Sequence, residues 1–124
     1  MILNAKITSA DIFIEDHDIL TFSIGIDSSA GWSTNIGSFY LDWEDKEGKR
    51  ISATYTSTII RAILETVGVR SWNDLVGKYI RIDDNNVHNS PIVKISNLMQ
   101  DNWIDLRKII EEAKKEIWYE NSCR

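Results

Sequence analysis

The sequence is short of the residues that define several classes of protein. Its 124 residues include one cysteine, Cys123, and one proline, Pro91. A single cysteine excludes an internal disulfide framework and a cysteine-rich zinc site. No apolar run approaches the roughly 18 residues that a membrane-spanning helix needs, and residues 1–10 show no signal-peptide pattern. We therefore expect a cytoplasmic protein that does not enter a membrane.

An excess of basic charge is missing as well. The chain has 14 lysines and arginines against 19 acidic residues, for a net charge of −5. Duplex nucleic acid is not expected as a partner, because proteins that bind it usually neutralise its phosphates with a basic field. With 43% hydrophobic and 27% charged residues, the composition is that of an ordinary folded protein, and the length predicts a single domain over residues 1–124.

Tryptophan, by contrast, is abundant, with five in the chain. Large aromatic side chains favour subunit interfaces and the walls of ligand pockets. We expect that the core of so small a domain cannot cover all of them. The sequence therefore predicts a symmetric homo-oligomer, at least a dimer.

Hydrophobic periodicity predicts an α+β domain in the order ββββ-α-ββ-α, with an antiparallel sheet of about six strands and two amphipathic helices. The predicted strands cover residues 2–15, 19–26, 38–43, 50–55, 78–82 and 92–98, and the predicted helices cover residues 57–67 and 106–119. Residues 27–37 are predicted to form a loop. Simple alternation in the first strand would place Ile7, Ser9, Asp11 and Phe13 on one face.

The ends of the helices carry capping signals. Thr56 or Ser57 is the predicted N-cap of the first helix, and Gly68 suits the left-handed residue that follows it. Ser71 is expected to cap a short helical turn, and Asp105 the last helix.

Residues for catalysis or metal binding do not form a recognisable pattern. Residues 15–18 contain three acids and His17, but successive residues of a turn point apart, and a solvated turn is the simpler interpretation. Cys123 lies near the chain end, where no base would be held against it. No phosphate-binding loop or serine elbow is present. We therefore expect no enzyme, no cofactor and no metal.

Cations and aromatic residues are more suggestive of a binding site. Arginines beside a helix N-terminus can hold a phosphate, and aromatic rings in loops can stack on a base. Ordinary surface charge and edge-of-core packing are the alternative interpretations. The candidate ligand-binding residues are Arg61, Arg81, Trp32, Tyr40, Trp103, Arg107 and Lys108. Trp103 and Arg107 are the strongest pair, because only four positions separate them at the start of the last helix.

Four segments together resemble a family of small phage proteins, the Thoeris anti-defence sponges. They are IEDHDILT at residues 14–21, FYLD at 39–42, ILETVGVRSWNDLVGKYIR at 63–81, and a Trp-x-Asp at 103–105. The resemblance spans most of the chain. It departs in the loop before FYLD, which is usually richer in glycine and here contains Trp32, and at Leu106, where a proline is common.

The resemblance implies that the protein sequesters a cyclic ADP-ribose signal, notably glyco-cyclic ADP-ribose, made by TIR-domain immune proteins of the infected bacterium. It implies binding without cleavage, by dimers or hexamers with pockets between subunits, and leaves open a second site for cyclic trinucleotides. Two other hypotheses remain at this point. One is a phage inhibitor that blocks a host defence enzyme by direct protein–protein binding, and the other is a nucleotide-processing enzyme.

Overall fold

The computed structural model describes residues 1–15, 17–53, 55–84 and 92–122. Within them the strands are β1 (Ile2–Ile14), β2 (Leu20–Ser28), β3 (Ser33–Tyr40), β4 (Asp42–Glu44), β5 (Arg50–Ser52), β6 (Tyr79–Asp83), β7 (Lys94–Asn97) and β8 (Ile104–Asp105). The helices are α1 (Thr56–Val67) and α2 (Leu106–Ser122), with a short 3₁₀ helix at Trp72–Leu75.

Six of the strands form one antiparallel sheet in the order β3-β2-β1-β6-β7-β8. The predicted α+β class and the antiparallel sheet with two helices are confirmed. The prediction was wrong over residues 27–37, because β2 and β3 extend through most of the predicted loop, and the strand predicted over residues 38–43 is divided between the end of β3 and β4. The chain then leaves the sheet after Tyr40, so β4 and β5 pair only with each other, as a separate two-stranded hairpin.

A β-bulge in β1 changes which residues face the core. Ile7 lies opposite Ile26 of β2, but Ser9 already lies opposite Gly25, so Thr8 is an extra residue in the ladder. An extra residue shifts the alternation by one position. Ala10 and the residues alternating with it therefore continue the face begun by Ile7. The expectation that Ile7 shares a face with Ser9, Asp11 and Phe13 is wrong for this reason.

The core lies between one face of the sheet and the two helices. Isoleucines dominate it, with α1 contributing Ile59 and Ile63, and α2 contributing Leu106 and Ile110. These helix positions are three or four residues apart, which is the spacing that puts side chains on one stripe. The opposite face of the sheet is left without a covering layer among the described residues, and it carries mostly polar side chains.

Two of the four predicted caps are confirmed. Gly68 ends α1 with a left-handed backbone (φ 88°), and Asp105 caps α2 by accepting a hydrogen bond from the Lys108 N–H at 3.1 Å. The prediction for the start of α1 was wrong. Its N-cap is Tyr55, and the Thr56 hydroxyl instead donates to the Leu41 carbonyl in a tertiary contact. Ser71 precedes the 3₁₀ helix but makes no side-chain cap.

The four tryptophans whose burial the structure describes are all half-buried. Trp32, Trp43 and Trp72 are half-buried and pack against the protomer's own core, and Trp72 meets Phe22 edge-on at 6.1 Å between ring centroids. The core therefore covers these three rings only in part, and the homo-oligomer stays a prediction. Among the described residues, neither helix combines the length and the apolar character needed to cross a bilayer.

Candidate ligand-binding site

The candidate site lies on the uncovered face of the sheet, where four strands end beside α2. Ile2 is paired with Asp83, and Lys94 is paired with Asp105. Ile82 and Ile95 are paired and buried, so the next residues along, Asp83 and Lys94, point away from the core. The result is a row of side chains across β1, β6, β7 and β8 that runs towards the N-terminus of α2.

A cavity of about 420 Å³ opens over this row. The row of side chains forms the floor of the cavity, and Trp103 and Lys108 line one side of the cavity. This volume lies within the range of roughly 300 to 1,000 Å³ that is typical of small-molecule sites. The cavity therefore joins an aromatic ring, two ammonium groups and the start of a helix.

The two carboxylates that line the cavity interact with groups other than the two lysines. The Asp83 carboxylate lies 3.5 Å from the N-terminal amino group, and the Asp105 carboxylate caps the helix. Neither Lys94 nor Lys108 forms an ion pair with any of the residues that the structure describes. Both ammonium groups are exposed and can meet an anion, and the positive end of the α2 dipole acts in the same direction.

Trp103 is held in place by Arg81. The guanidinium carbon of Arg81 lies 5.4 Å from the centroid of the Trp103 ring. Arg81 also donates to the carbonyl oxygens of Asn97 (3.0 Å) and Gln100 (2.8 Å), and to the Asp101 carboxylate (2.7 Å). Arg81 is thus both a cation near the cavity and the residue that shapes the loop between β7 and β8.

The same loop is tied to α1 by two asparagines. The Asn97 amide donates to the Val67 carbonyl (3.2 Å), and the Asn102 amide donates to the Thr66 carbonyl (3.3 Å). The Asn102 side-chain oxygen also accepts from the Asn97 N–H at 2.8 Å. These bonds satisfy the last carbonyls of α1 and fix the backbone that presents Trp103.

The structure brings together three of the seven candidate residues, Arg81, Trp103 and Lys108. Arg107 is adjacent, on the first turn of α2, but it does not line the cavity. Its side chain is exposed, and it makes no hydrogen bond or ion pair with the described residues. It remains available to a ligand that reaches past Lys108.

The other three candidates lie elsewhere. Trp32 and Tyr40 belong to the β3 side of the sheet, five strand spacings from β8, or about 24 Å at ~4.8 Å per spacing. They can join Trp103 around one ligand only if a second protomer supplies them. Arg61 is exposed on α1 and pairs with Glu65 at 2.8 Å, which matches the alternative of ordinary surface charge.

Sequence reasoning missed the floor of the cavity. Lys94, Ile2 and Asp83 are far apart in the chain, and only the strand order makes them neighbours. The alternation of Lys94 with the buried Ile95 does indicate an outward lysine, but not what it faces. Among the described residues no group of three or more histidines, cysteines or carboxylates is placed to hold a metal ion.

No protein-family model matches the chain, and no curated protein matches it either.

Proposed function

We propose that this protein is a phage anti-defence sponge. It binds and sequesters a cyclic ADP-ribose-type nucleotide, glyco-cyclic ADP-ribose in the first instance, in the cytoplasm of the infected bacterium. It holds this signal of TIR-domain immune proteins without cleaving it, and it works as a homo-oligomer. The observation that carries the proposal is that Trp103, Lys94 and Lys108 border one cavity at the N-terminus of α2.

The chemistry of the cavity suits such a ligand. A pyrophosphate needs positive charge, and the Lys94 and Lys108 ammonium groups supply it beside the positive end of the α2 dipole. The N–H groups of Leu106 and Lys108 are already bonded, to Val93 and Asp105, so they do not bind the ligand. Adenine needs a flat apolar surface, and the Trp103 ring, fixed from one side by Arg81, offers one. Sequestration requires high affinity, which comes from many preorganised contacts to a small molecule. The hydrogen-bonded loop of residues 97–102 provides that preorganisation.

The test is retention followed by recovery of the ligand. The full chain is incubated with glyco-cyclic ADP-ribose, separated from free nucleotide and denatured by heat, and the released nucleotide is identified by mass spectrometry. The proposal predicts stoichiometric recovery of the unaltered compound. Altered nucleotide would instead indicate an enzyme, and no retention of any cyclic ADP-ribose isomer would favour an inhibitor that binds a host protein.

A matched pair of variants locates the site. The double variant Trp103→Ala/Lys108→Ala is expected to lose retention, because it removes the ring and one ammonium group from the cavity. Arg61→Ala removes an exposed cation that is already paired with Glu65, so it is expected to retain the ligand as the wild type does. Equal retention by all three proteins would place the ligand elsewhere.

A further inference from the structure

The second half of β1 has an open edge. On the side away from β2, β1 pairs with β6 only as far as Lys6, which lies opposite Tyr79. The last bonds on that side join the Ile7 N–H to the Lys78 carbonyl and the Gly77 N–H to the Ile7 carbonyl. From residue 9 to residue 14, the backbone pairs with β2 alone among the described residues.

This open edge is apolar. The 3₁₀ helix Trp72–Leu75 contacts β1, but it forms no backbone hydrogen bond with residues 9–14. Ile12, Phe13 and Ile14 are 44%, 43% and 67% exposed. Sheet edges are usually blocked by lysine, proline or very short strands, because free N–H and C=O groups otherwise recruit another strand. The two outer strands of the sheet follow that rule: β3 begins with exposed polar residues, and β8 has only two residues. Residues 9–14 contain one charge, Asp11.

We propose that residues 9–14 pair with the same residues of a second copy of this chain, antiparallel and about a two-fold axis. The pairing joins two six-stranded sheets into one continuous sheet. It places the proposed homo-oligomer at a defined surface, and in that respect it rests on the proposed function. The argument for the pairing itself uses the edge and the charges near it, and does not depend on the nucleotide site.

Charge selects the register of this pairing. A two-fold axis perpendicular to the sheet requires one residue to lie opposite its own copy. Centring on Asp11 would set two carboxylates against each other, and centring on Phe13 would set Asp11 against Glu15. Centring on Ile12 avoids both, because Asp11 then lies opposite Phe13, and Ala10 opposite Ile14. Like charges directly across a ladder are destabilising, so the Ile12 register is favoured.

The partner is also complementary in charge beyond the paired strands. In the Ile12 register the partner chain continues past Ser9 towards Lys78, which is bonded to Ile7. The turn that follows its Ile14 is acidic, with Glu15 and Asp18. A groove of about 510 Å³ includes Lys78 in its lining, and its charged residues are two cations, Arg70 and Lys78, and one acid, Asp74. Two-fold symmetry gives this acidic-to-basic contact twice.

The experiment measures the mass of the full chain by light scattering at about 100 μM, without any nucleotide. The wild type is expected at twice the chain mass of 14.3 kDa or at a multiple of that dimer. Phe13→Asp is expected to weaken the dimer about tenfold or more, because it sets a carboxylate against Asp11 twice by symmetry. Phe13→Lys sets an opposite charge there, so that variant is expected to stay dimeric.

The double variant Asp11→Lys/Phe13→Asp separates pairing from folding. It contains the disruptive substitution but restores opposite charges across the axis, so the dimer is expected to return. Met99→Asp changes a more exposed apolar side chain in another part of the surface (85% exposed) and is expected to leave the mass unchanged.

Two results would overturn the interface: a wild-type mass of one chain, or an equal loss of mass in Phe13→Asp, Phe13→Lys and the double variant. Either result leaves the nucleotide proposal standing if the protein still retains its ligand. Conversely, a dimer with this charge pattern that retains no nucleotide would overturn the proposed function and not the interface.

Discussion

Two clusters in this protein combine an arginine, an aspartate and an aromatic ring, and they behave differently. In the inner cluster, Arg50 pairs with Asp42 and lies 5.9 Å from the Tyr40 ring centroid. In the outer cluster, Arg81 pairs with Asp101 and lies 5.4 Å from the Trp103 ring centroid. The two arginine side chains are similarly exposed, at 21% and 22%, but the Asp42 side chain is 11% exposed and that of Asp101 is 80% exposed.

The buried acid makes the inner cluster part of the scaffold. One Asp42 oxygen accepts from the Leu20 N–H at 3.1 Å, and the other accepts from Arg50, so the carboxylate ties β2 to the β4–β5 hairpin. The outer cluster depends less on its acid, because Arg81 already donates to two backbone carbonyls. A similar set of residue types therefore anchors the fold in one place and presents a ring to a cavity in the other.

The largest effect is expected from Asp42→Ala. Removing the Asp42 carboxylate leaves the Leu20 N–H without its acceptor and the partly buried Arg50 without its ion pair, which is expected to cost about 3 kcal/mol of the free energy of unfolding. Urea unfolding measures this cost. The matched variant Asp101→Ala removes an exposed partner and is expected to cost less than about 1 kcal/mol. Similar costs for the two variants would contradict the distinction between the clusters.

Next in size are the cations at the start of α2. A charge-assisted contact to a buried phosphate is worth about 1.5–3 kcal/mol, so Arg107→Ala and Lys108→Ala should each weaken nucleotide binding about ten- to a hundredfold. Calorimetry with glyco-cyclic ADP-ribose measures the affinity, with Arg61→Ala as the control. A loss in Lys108→Ala alone would confine the phosphate to the cavity, and a loss in neither would exclude this end of α2.

Trp103→Ala is expected to weaken binding about tenfold or more, since stacking on a base is worth about 1–3 kcal/mol. Tyr40→Ala removes the ring of the inner cluster and is the matched comparison. If one protomer forms the pocket, calorimetry should show unchanged binding for Tyr40→Ala. A comparable loss in both variants would instead mean that a second protomer completes the pocket.

The smallest effect concerns Tyr55, whose hydroxyl donates towards the carbonyls of Tyr40 and Asp42 at 3.3 and 3.4 Å. Tyr55→Phe is expected to cost about 1 kcal/mol. Burial, and then the Asp42 charge, raise the pKa of Tyr55 above its usual 10.0. The folded protein therefore holds this proton more tightly than the unfolded chain does, and the stability that Tyr55 contributes is lost as the pH rises through its raised pKa.

The measurement for Tyr55 is urea unfolding at pH 9 and pH 11. The wild type should lose more stability between the two values than Tyr55→Phe does. Lysines and other tyrosines titrate in both proteins, so only the difference between the proteins reports on Tyr55. Parallel pH profiles would show that the phenol is not the group responsible.

Local signals made part of this fold predictable. The alternation in β2 and the three-to-four spacing of Ile59, Ile63 and Val67 in α1 depend on near neighbours in the chain, and the structure contains both elements. Gly68 and Asp105 were predictable for the same reason, since a left-handed residue and a cap act within one turn. The bulge at Thr8 was not predictable, because no residue type in positions 7–9 indicates an extra residue opposite β2.

The candidate site was predictable only in its chain-local part. Trp103, Arg107 and Lys108 lie within six residues, so the sequence placed them together at the start of α2, although Arg107 does not line the cavity. The contact between Arg81 and Trp103 depends on the pairing of β6 with β7, which brings two residues 22 positions apart in the chain next to each other. The sequence also does not distinguish Asp42 from Asp101. Both pair with an arginine near an aromatic ring, and their different roles follow from their different burial.

By itself, then, the sequence determined the class of fold, the two helices with the end of α1 and the start of α2, and the group of cations and a tryptophan near residue 105. Those features depend on hydrophobic period and capping, which act over a few residues. Only the tertiary structure decided the strand order, the floor of the cavity and the open edge of β1. These arise where distant segments meet or fail to meet: β1 pairs with β6 only as far as Lys6, and residues 9–14 pair with β2 alone among the residues that the structure describes.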